Sequence, residues 1–117
     1  MIIVARVERT SLRRIYNEAD QADALPWHRN EPAKLLPEII KARDKPGQAL
    51  DIGCGSGVDS VFLAQNGWDV TSLDFMRDAL RMTSERAEKA GVEITTIEAD
   101  ALEWKAPSDA FDLIVDI

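Results

Sequence analysis

Gly53, Gly55 and Gly57 stand at alternate positions in the stretch ALDIGCGSG, directly behind a short apolar run. Glycine at such a place lets a backbone turn sharply or lets a ligand lie against bare main chain. Asp51 precedes the first glycine by two residues, inside the end of that run. A carboxylate there repels a phosphate and favours positive charge. Further along, Asp74 closes VTSLD and Asp100 closes IEAD. A carboxylate at a strand tip can accept two hydrogen bonds from a ribose diol. Asp100, together with the backbone N–H of Ala101, can meet the edge of an adenine ring. Three acids around one glycine turn therefore describe a site for a cationic adenosine compound. A nicotinamide dinucleotide fits less well, because its fingerprint is G-x-G-x-x-G and Val58 occupies the place of the third glycine.

Each of these residues also has a plainer role. The glycines could serve only a tight turn, Asp51 could cap the following helix or brace the loop, and Asp74 could cap the helix after it. Asp100 could be an ordinary loop carboxylate. Cys54 sits between two glycines, where small size rather than nucleophilicity explains it. His28 is the only histidine, hence the only side chain with an unperturbed pKa near neutrality, and it reads as a surface residue. Trp27 reads equally as a core anchor or as a ligand cover; Trp68 and Trp104 read as packing residues.

Regular elements must hold these residues in place. QALDI reads as a strand, DSVFLAQN (59–66) as a helix stopped by Gly67, and WDVTSLD (68–74) as a strand. Met76 to Ala90 reads as a helix whose inner face carries Met76, Ala79, Leu80, Thr83, Ala87 and Ala90, with Gly91 as its stop. VEITTIEA (92–99) and FDLIVDI (111–117) read as two further strands. Upstream, Ser11–Ala22 reads as a helix capped by Ser11 or Thr10. Glu31–Ala42 reads as another, in which Pro37 either makes a kink or marks the true start. Strands alternating with helices predict a parallel α/β sheet, and such sheets bind ligands at the carboxyl ends of their strands. All the acids above fall at such ends. The expected division is a helical lead-in over 1–47 and a half-domain over 48–117, within one structural domain.

Composition narrows the function. The chain has 117 residues, 45% of them hydrophobic and 30% charged, which suits one small globular domain. A net charge of −7 without a Lys/Arg cluster argues against a nucleic-acid face. Neither a secretory leader nor a run of about 20 apolar residues is visible, and a single cysteine allows no intrachain disulfide. These features point to a cytoplasmic protein without a membrane partner and without a metal site.

ALDIGCGSG, VTSLDFM, IEADALEW and FDLIVDI together resemble the successive motifs of class I S-adenosylmethionine-dependent methyltransferases. The upstream DALPWHRNEPAKLLPEII is similar, more loosely, to the small-molecule branch that includes tellurite-resistance and thiopurine methyltransferases. The resemblance implies a Rossmann-like three-layer α/β fold, S-adenosylmethionine as cofactor and a small-molecule acceptor. It implies that Gly53, Cys54, Gly55 and Gly57 line the methionine part of the cofactor. It puts Asp51 near the amino group or sulphonium, directly or through water, and Asp74 on the ribose. It puts Phe75 on the adenine face, Asp100 and Ala101 at its edge, Asp116 close to the transferable methyl, and Trp27 over the cofactor. No catalytic residue is implied, since the transfer needs a base only if the acceptor must lose a proton early. The family's usual sheet has seven strands, and about four are expected here. The chain therefore reads as a fragment, a truncated reading frame or half of an assembly. Leu113, Ile114 and Val115 would form a bare apolar edge suited to a homo-oligomer. A non-catalytic cofactor-binding or dimerising module is the alternative to an enzyme.

Overall fold

Apolar and polar residues alternate along the strands of this chain, and that alternation divides the sheet into faces. In the computed structural model, which describes residues 2–4, 32, 35–42, 45–105, 107 and 110–116, with backbone alone for 2–4, 35 and 116, five strands form one sheet. In chain order the elements are β1 (Ile2–Val4), α1 (Leu35–Ala42), β2 (Gln48–Ile52), α2 (Val58–Gln65), β3 (Asp69–Asp74), α3 (Arg77–Ala90), β4 (Thr95–Glu98) and β5 (Leu113–Asp116). The spatial order is β1-β5-β2-β3-β4, and every pair is parallel. The expected α/β, Rossmann-like architecture is thus observed, with the order turning back between β2 and β5.

One expectation is corrected. The opening residues form a strand, so the sheet has five strands rather than four. Ile2, Ile3 and Val4 pair with Leu113, Ile114 and Val115, so the outer edge of β5 is occupied by the chain's own first strand. The bare apolar edge expected to suit a homo-oligomer is therefore absent at β5. The predicted helix at Ser11–Ala22 lies outside the described residues.

Register and alternation place Ala49, Asp51, Val70, Ser72, Asp74, Leu113 and Val115 on one face. At the amino ends of the strands this face is apolar. Ala49, Val70, Leu113 and Val115 pack with Leu63 of α2, Leu36 of α1 and Trp68 in one buried cluster. Burying such side chains stabilises the fold by roughly 1.5–3 kcal/mol each. Towards the carboxyl ends the same face turns polar, with Asp51, Ser72 and Asp74 all buried. Pro37 falls in the first turn of α1, where its missing N–H has no helical partner, so the helix starts at Leu35 and not at Glu31. Helix α3 buries Ala79, Leu80, Met82, Thr83 and Ala87. Gly91 ends it in the left-handed region at φ 72°, with its own N–H on Glu88 O and Val92 N–H on Ala87 O. The strand expected over 92–99 is shorter, Thr95–Glu98. No helix among the described residues is long and apolar enough to cross a membrane.

Candidate functional site

The strand register brings the sequence-predicted acids to one edge. Ile52, the last residue of β2, pairs with Asp116 on one side and Leu73 on the other, and Asp74 pairs with Glu98 at the end of β4. The ladders run on into the loops: Gly53 donates its N–H to Leu73 O at 2.7 Å, and Ala99 donates to Asp74 O at 3.0 Å. The glycine turn, the β3–α3 turn and the turn after β4 are therefore tied to adjacent strand ends.

Gly53, Gly55 and Gly57 all take positive φ, at 66°, 61° and 90°. That is the conformation side chains of L-residues avoid, so the sequence can turn from β2 into α2 within a few residues. Gly57 has a further reason for lacking a side chain. A Cβ there would stand 2.8 Å from both Cα and Oγ1 of Thr83 on α3. The third glycine thus answers to helix packing, whatever else it does.

Two carboxylates lie beneath this turn. Asp51 is 2% exposed and accepts the Ser60 hydroxyl at 2.6 Å. Ser60 Oγ lies 2.6 Å from Ser72 Oγ as well. Ser60 has one proton, which goes to Asp51, so Ser72 donates to Ser60. Asp74 is 3% exposed. Its Oδ1 accepts the Met76 N–H at 2.8 Å, just ahead of α3, while the Gly55 and Phe75 N–H groups also favour its charge. Burial outweighs these donors, and the Asp74 carboxyl is pushed up to about 6. Asp51 thus braces the loop through Ser60, whereas neither acid caps a helix: Asp74 holds the N–H of Met76, the residue ahead of α3.

Cys54 reports the field at the turn. Its thiol is buried and pushed well above the ordinary range, first by burial and then by the negative charges of Asp51 and Asp74. A thiol so held stays protonated and is no nucleophile at neutral pH. The same field that suppresses a thiolate favours a cation at the turn.

Among the remaining expected residues, Phe75 lies half-buried between β3 and α3. Asp100 accepts the Leu102 N–H at 2.8 Å, fixing the turn that carries Ala101. Asp116 ends β5 beside Ile52, and its side chain is outside the described residues. Trp27 and His28 are also outside them. Trp68 is core, and Trp104 packs against Phe111 with ring centroids 6.5 Å apart.

Sequence reasoning missed the hydroxyls that hold this site. Ser60, Ser72 and Thr83 are all fully buried. Their signal was a polar residue where periodicity demands an apolar one, and small hydroxyl side chains blend into such a face. Arg86 was also missed; it donates Nε–H to Ser56 O at 3.0 Å. An open groove of about 550 Å³ exists at the opposite end of the sheet, beside Asp69, Ala87, Val92 and Thr95, and carries none of the expected site residues.

The ribosomal RNA small subunit methyltransferase C of Alcanivorax borkumensis is 41% identical over 66 residues, covering 55% of this chain and 20% of that protein. Thiocyanate methyltransferase 1 of Brassica oleracea is 31% identical over 94 residues, covering 78% and 41%. The crystal structure of TehB from Haemophilus influenzae matches with a TM-score of 0.59 at 32% identity, over 68% of this chain and 27% of that one. The chain thus spans between a fifth and about two fifths of the length of these curated relatives. Residues 49–117, from β2 through the glycine turn and all the strand ends just described to β5, match a family described as the methyltransferase domain, and the chain belongs to that family.

Proposed function

We propose that this edge of the sheet binds S-adenosylmethionine and that the protein transfers its methyl group to a small molecule. The observation that carries the reading is the pair of buried carboxylates, Asp51 and Asp74, beneath a turn of three left-handed glycines. The donor set fits a cationic nucleoside: Asp51 and Asp74 place negative charge beneath the turn. S-adenosylmethionine supplies a sulphonium whose methyl is displaced in line by a nucleophile, so the cofactor brings the hard chemistry.

The chain's own residues would bind and orient. Asp74 would accept the ribose hydroxyls, and Asp100 with the Ala101 N–H would address the adenine edge. Phe75 would lie on the adenine face. Gly53, Cys54, Gly55 and Gly57 would line the methionine part without side chains in its way. Asp51, held by Ser60, would supply charge beneath the amino group or sulphonium rather than a mobile ligand. Asp116 would stand near the transferred methyl, and Trp27 would cover the cofactor. Alignment of reacting atoms in a dry site can lower a barrier by about 7–11 kcal/mol, so no general base need be assigned.

A small-molecule acceptor is supported by the net charge of −7, which disfavours a phosphate backbone. It is also supported by the likeness to a thiocyanate methyltransferase. The ribosomal RNA enzyme matches over 66 residues, 20% of its own length, and a shared fold does not carry acceptor choice. A cytoplasmic location fits the single, buried cysteine.

The test is calorimetric titration of the purified protein with S-adenosylmethionine and with its demethylated product. Saturable binding of both, lost in Gly55→Val, is expected. Absence of binding by the unaltered protein would overturn the reading.

A further inference from the structure

Thr83 has no place in the cofactor reading, yet it is the most heavily engaged hydroxyl around the glycine turn. It is fully buried on α3 and donates its one proton to Gly55 O at 3.2 Å. Cys54 Sγ lies 3.2 Å from the same hydroxyl oxygen. The thiol stays protonated in this field, so its S–H is the donor and Thr83 Oγ1 the acceptor. One turn further along α3, Arg86 takes the next carbonyl, that of Ser56, at 3.0 Å. Two successive carbonyls of the turn therefore point at α3 and are satisfied by it. The Gly55 N–H favours the charge of Asp74. Gly55 takes a left-handed backbone conformation with φ 61°.

We propose that Thr83 is a positioning residue: by tying the Gly55 carbonyl to α3 it holds the glycine turn against that helix and so sets the shape of the adenosine site. The consequence for affinity rests on the cofactor reading above; the brace itself is a property of the chain alone. Without the hydroxyl, the Gly55 carbonyl loses its tie to α3 and keeps the longer Cys54 Sγ contact at 3.9 Å, so the turn loosens. Gly57, pressed against the Thr83 backbone, transmits the same constraint to the start of α2.

The experiment uses Thr83→Val, which keeps shape and removes the donor, and Thr83→Ser, which keeps the donor and removes a methyl group. Two readouts are taken: amide hydrogen exchange at Gly55 and Gly57 by NMR, and affinity for S-adenosylmethionine by calorimetry. In Thr83→Val, exchange at the turn should quicken at least tenfold relative to Val70 in β3, and affinity should fall about tenfold. Thr83→Ser should restore both to within about threefold of the unaltered protein. Unchanged exchange at the turn in Thr83→Val overturns the proposal, as does a Thr83→Ser variant no better than Thr83→Val. If Thr83→Val does not fold, Thr83→Ala removes the same donor with less bulk and is read in its place. If the unaltered protein binds no cofactor while Thr83→Val still loosens the turn, the brace stands and the cofactor reading falls. If cofactor binding persists and the turn is unaffected in Thr83→Val, the brace falls and the cofactor reading stands.

Discussion

Gly57→Ala probes the close approach of the glycine turn to α3. A methyl group on Gly57 would meet Thr83 Cα and Oγ1 at 2.8 Å and Thr83 Cβ at 3.0 Å. One of those atoms is main chain, so a rotamer change in Thr83 cannot clear the clash; the helix itself must shift. Crowding of this kind costs about 1–3 kcal/mol. The φ of 90° adds about 1–2 kcal/mol for a residue with a side chain. The sum is about 2–5 kcal/mol, a large part of the 5–15 kcal/mol that keeps a typical domain folded. Gly91→Ala isolates the second contribution. It has φ 72° but nothing within 4 Å of the added atom, so it should lose only about 1–2 kcal/mol. Urea unfolding of both variants, followed by far-ultraviolet circular dichroism, gives the two losses directly. In thermal unfolding, at about 4 °C per kcal/mol, Gly57→Ala should melt about 8–20 °C lower and Gly91→Ala about 4–8 °C lower. Equal losses in the two variants would refute the reasoning, because the steric part would then be absent and α3 could not lie so close to the turn.

Three other outcomes are expected. Asp74 has a folded pKa near 6 against 3.8 in an unfolded chain, so its ionisation opposes folding. Its contribution is best below pH 4, declines by about 3 kcal/mol as pH rises from 4 to 6, and is level above that; Asp74→Asn should remove this dependence from urea midpoints. On the proposed cofactor reading the ribose hydroxyls would donate to the ionised carboxylate, and cofactor affinity should run the other way, flat above pH 6 and falling up to tenfold per unit below it. Calorimetry giving one affinity from pH 5 to 8 would remove Asp74 from the ribose. Ser60→Ala strips a hydrogen bond from a buried carboxylate and an acceptor from Ser72, and should cost about 1.5–3 kcal/mol in urea unfolding; a loss under 0.5 kcal/mol would mean Asp51 has sufficient other partners. Leu36→Ala should lose about 2–5 kcal/mol if α1 closes the core as described, and a smaller loss would mean that α1 sits loosely on the sheet.

The order of strands and helices from β2 onward was legible because each element ends on a strong local signal. Gly67 follows α2, Gly91 follows α3, and Asp74 follows a β-branched run. The site acids were legible for the same reason: strand ends can be counted, and parallel pairing forces them to one edge. What escaped depends on contacts across the fold. Ile2–Val4 is too short to announce itself and is a strand only because β5 offers an edge. Thr83 was placed correctly on the buried face of its helix, but its hydroxyl gains meaning only when Gly55 arrives from another element. A Cβ on Gly57 would meet Thr83, a packing reason that no local signal announces. Asp74, weighed in the sequence as a helix cap or a ribose ligand, holds the Met76 N–H just ahead of α3.

The pairing of Ile2–Val4 with Leu113–Val115 makes the first strand of this chain the last that can be seated. During synthesis from the amino end, the slot for β1 exists only after β5 has emerged and docked on β2. Until then three successive backbone units wait without their ladder, open to any other strand edge nearby. Assembly of this sheet is therefore most exposed to mispairing at β1.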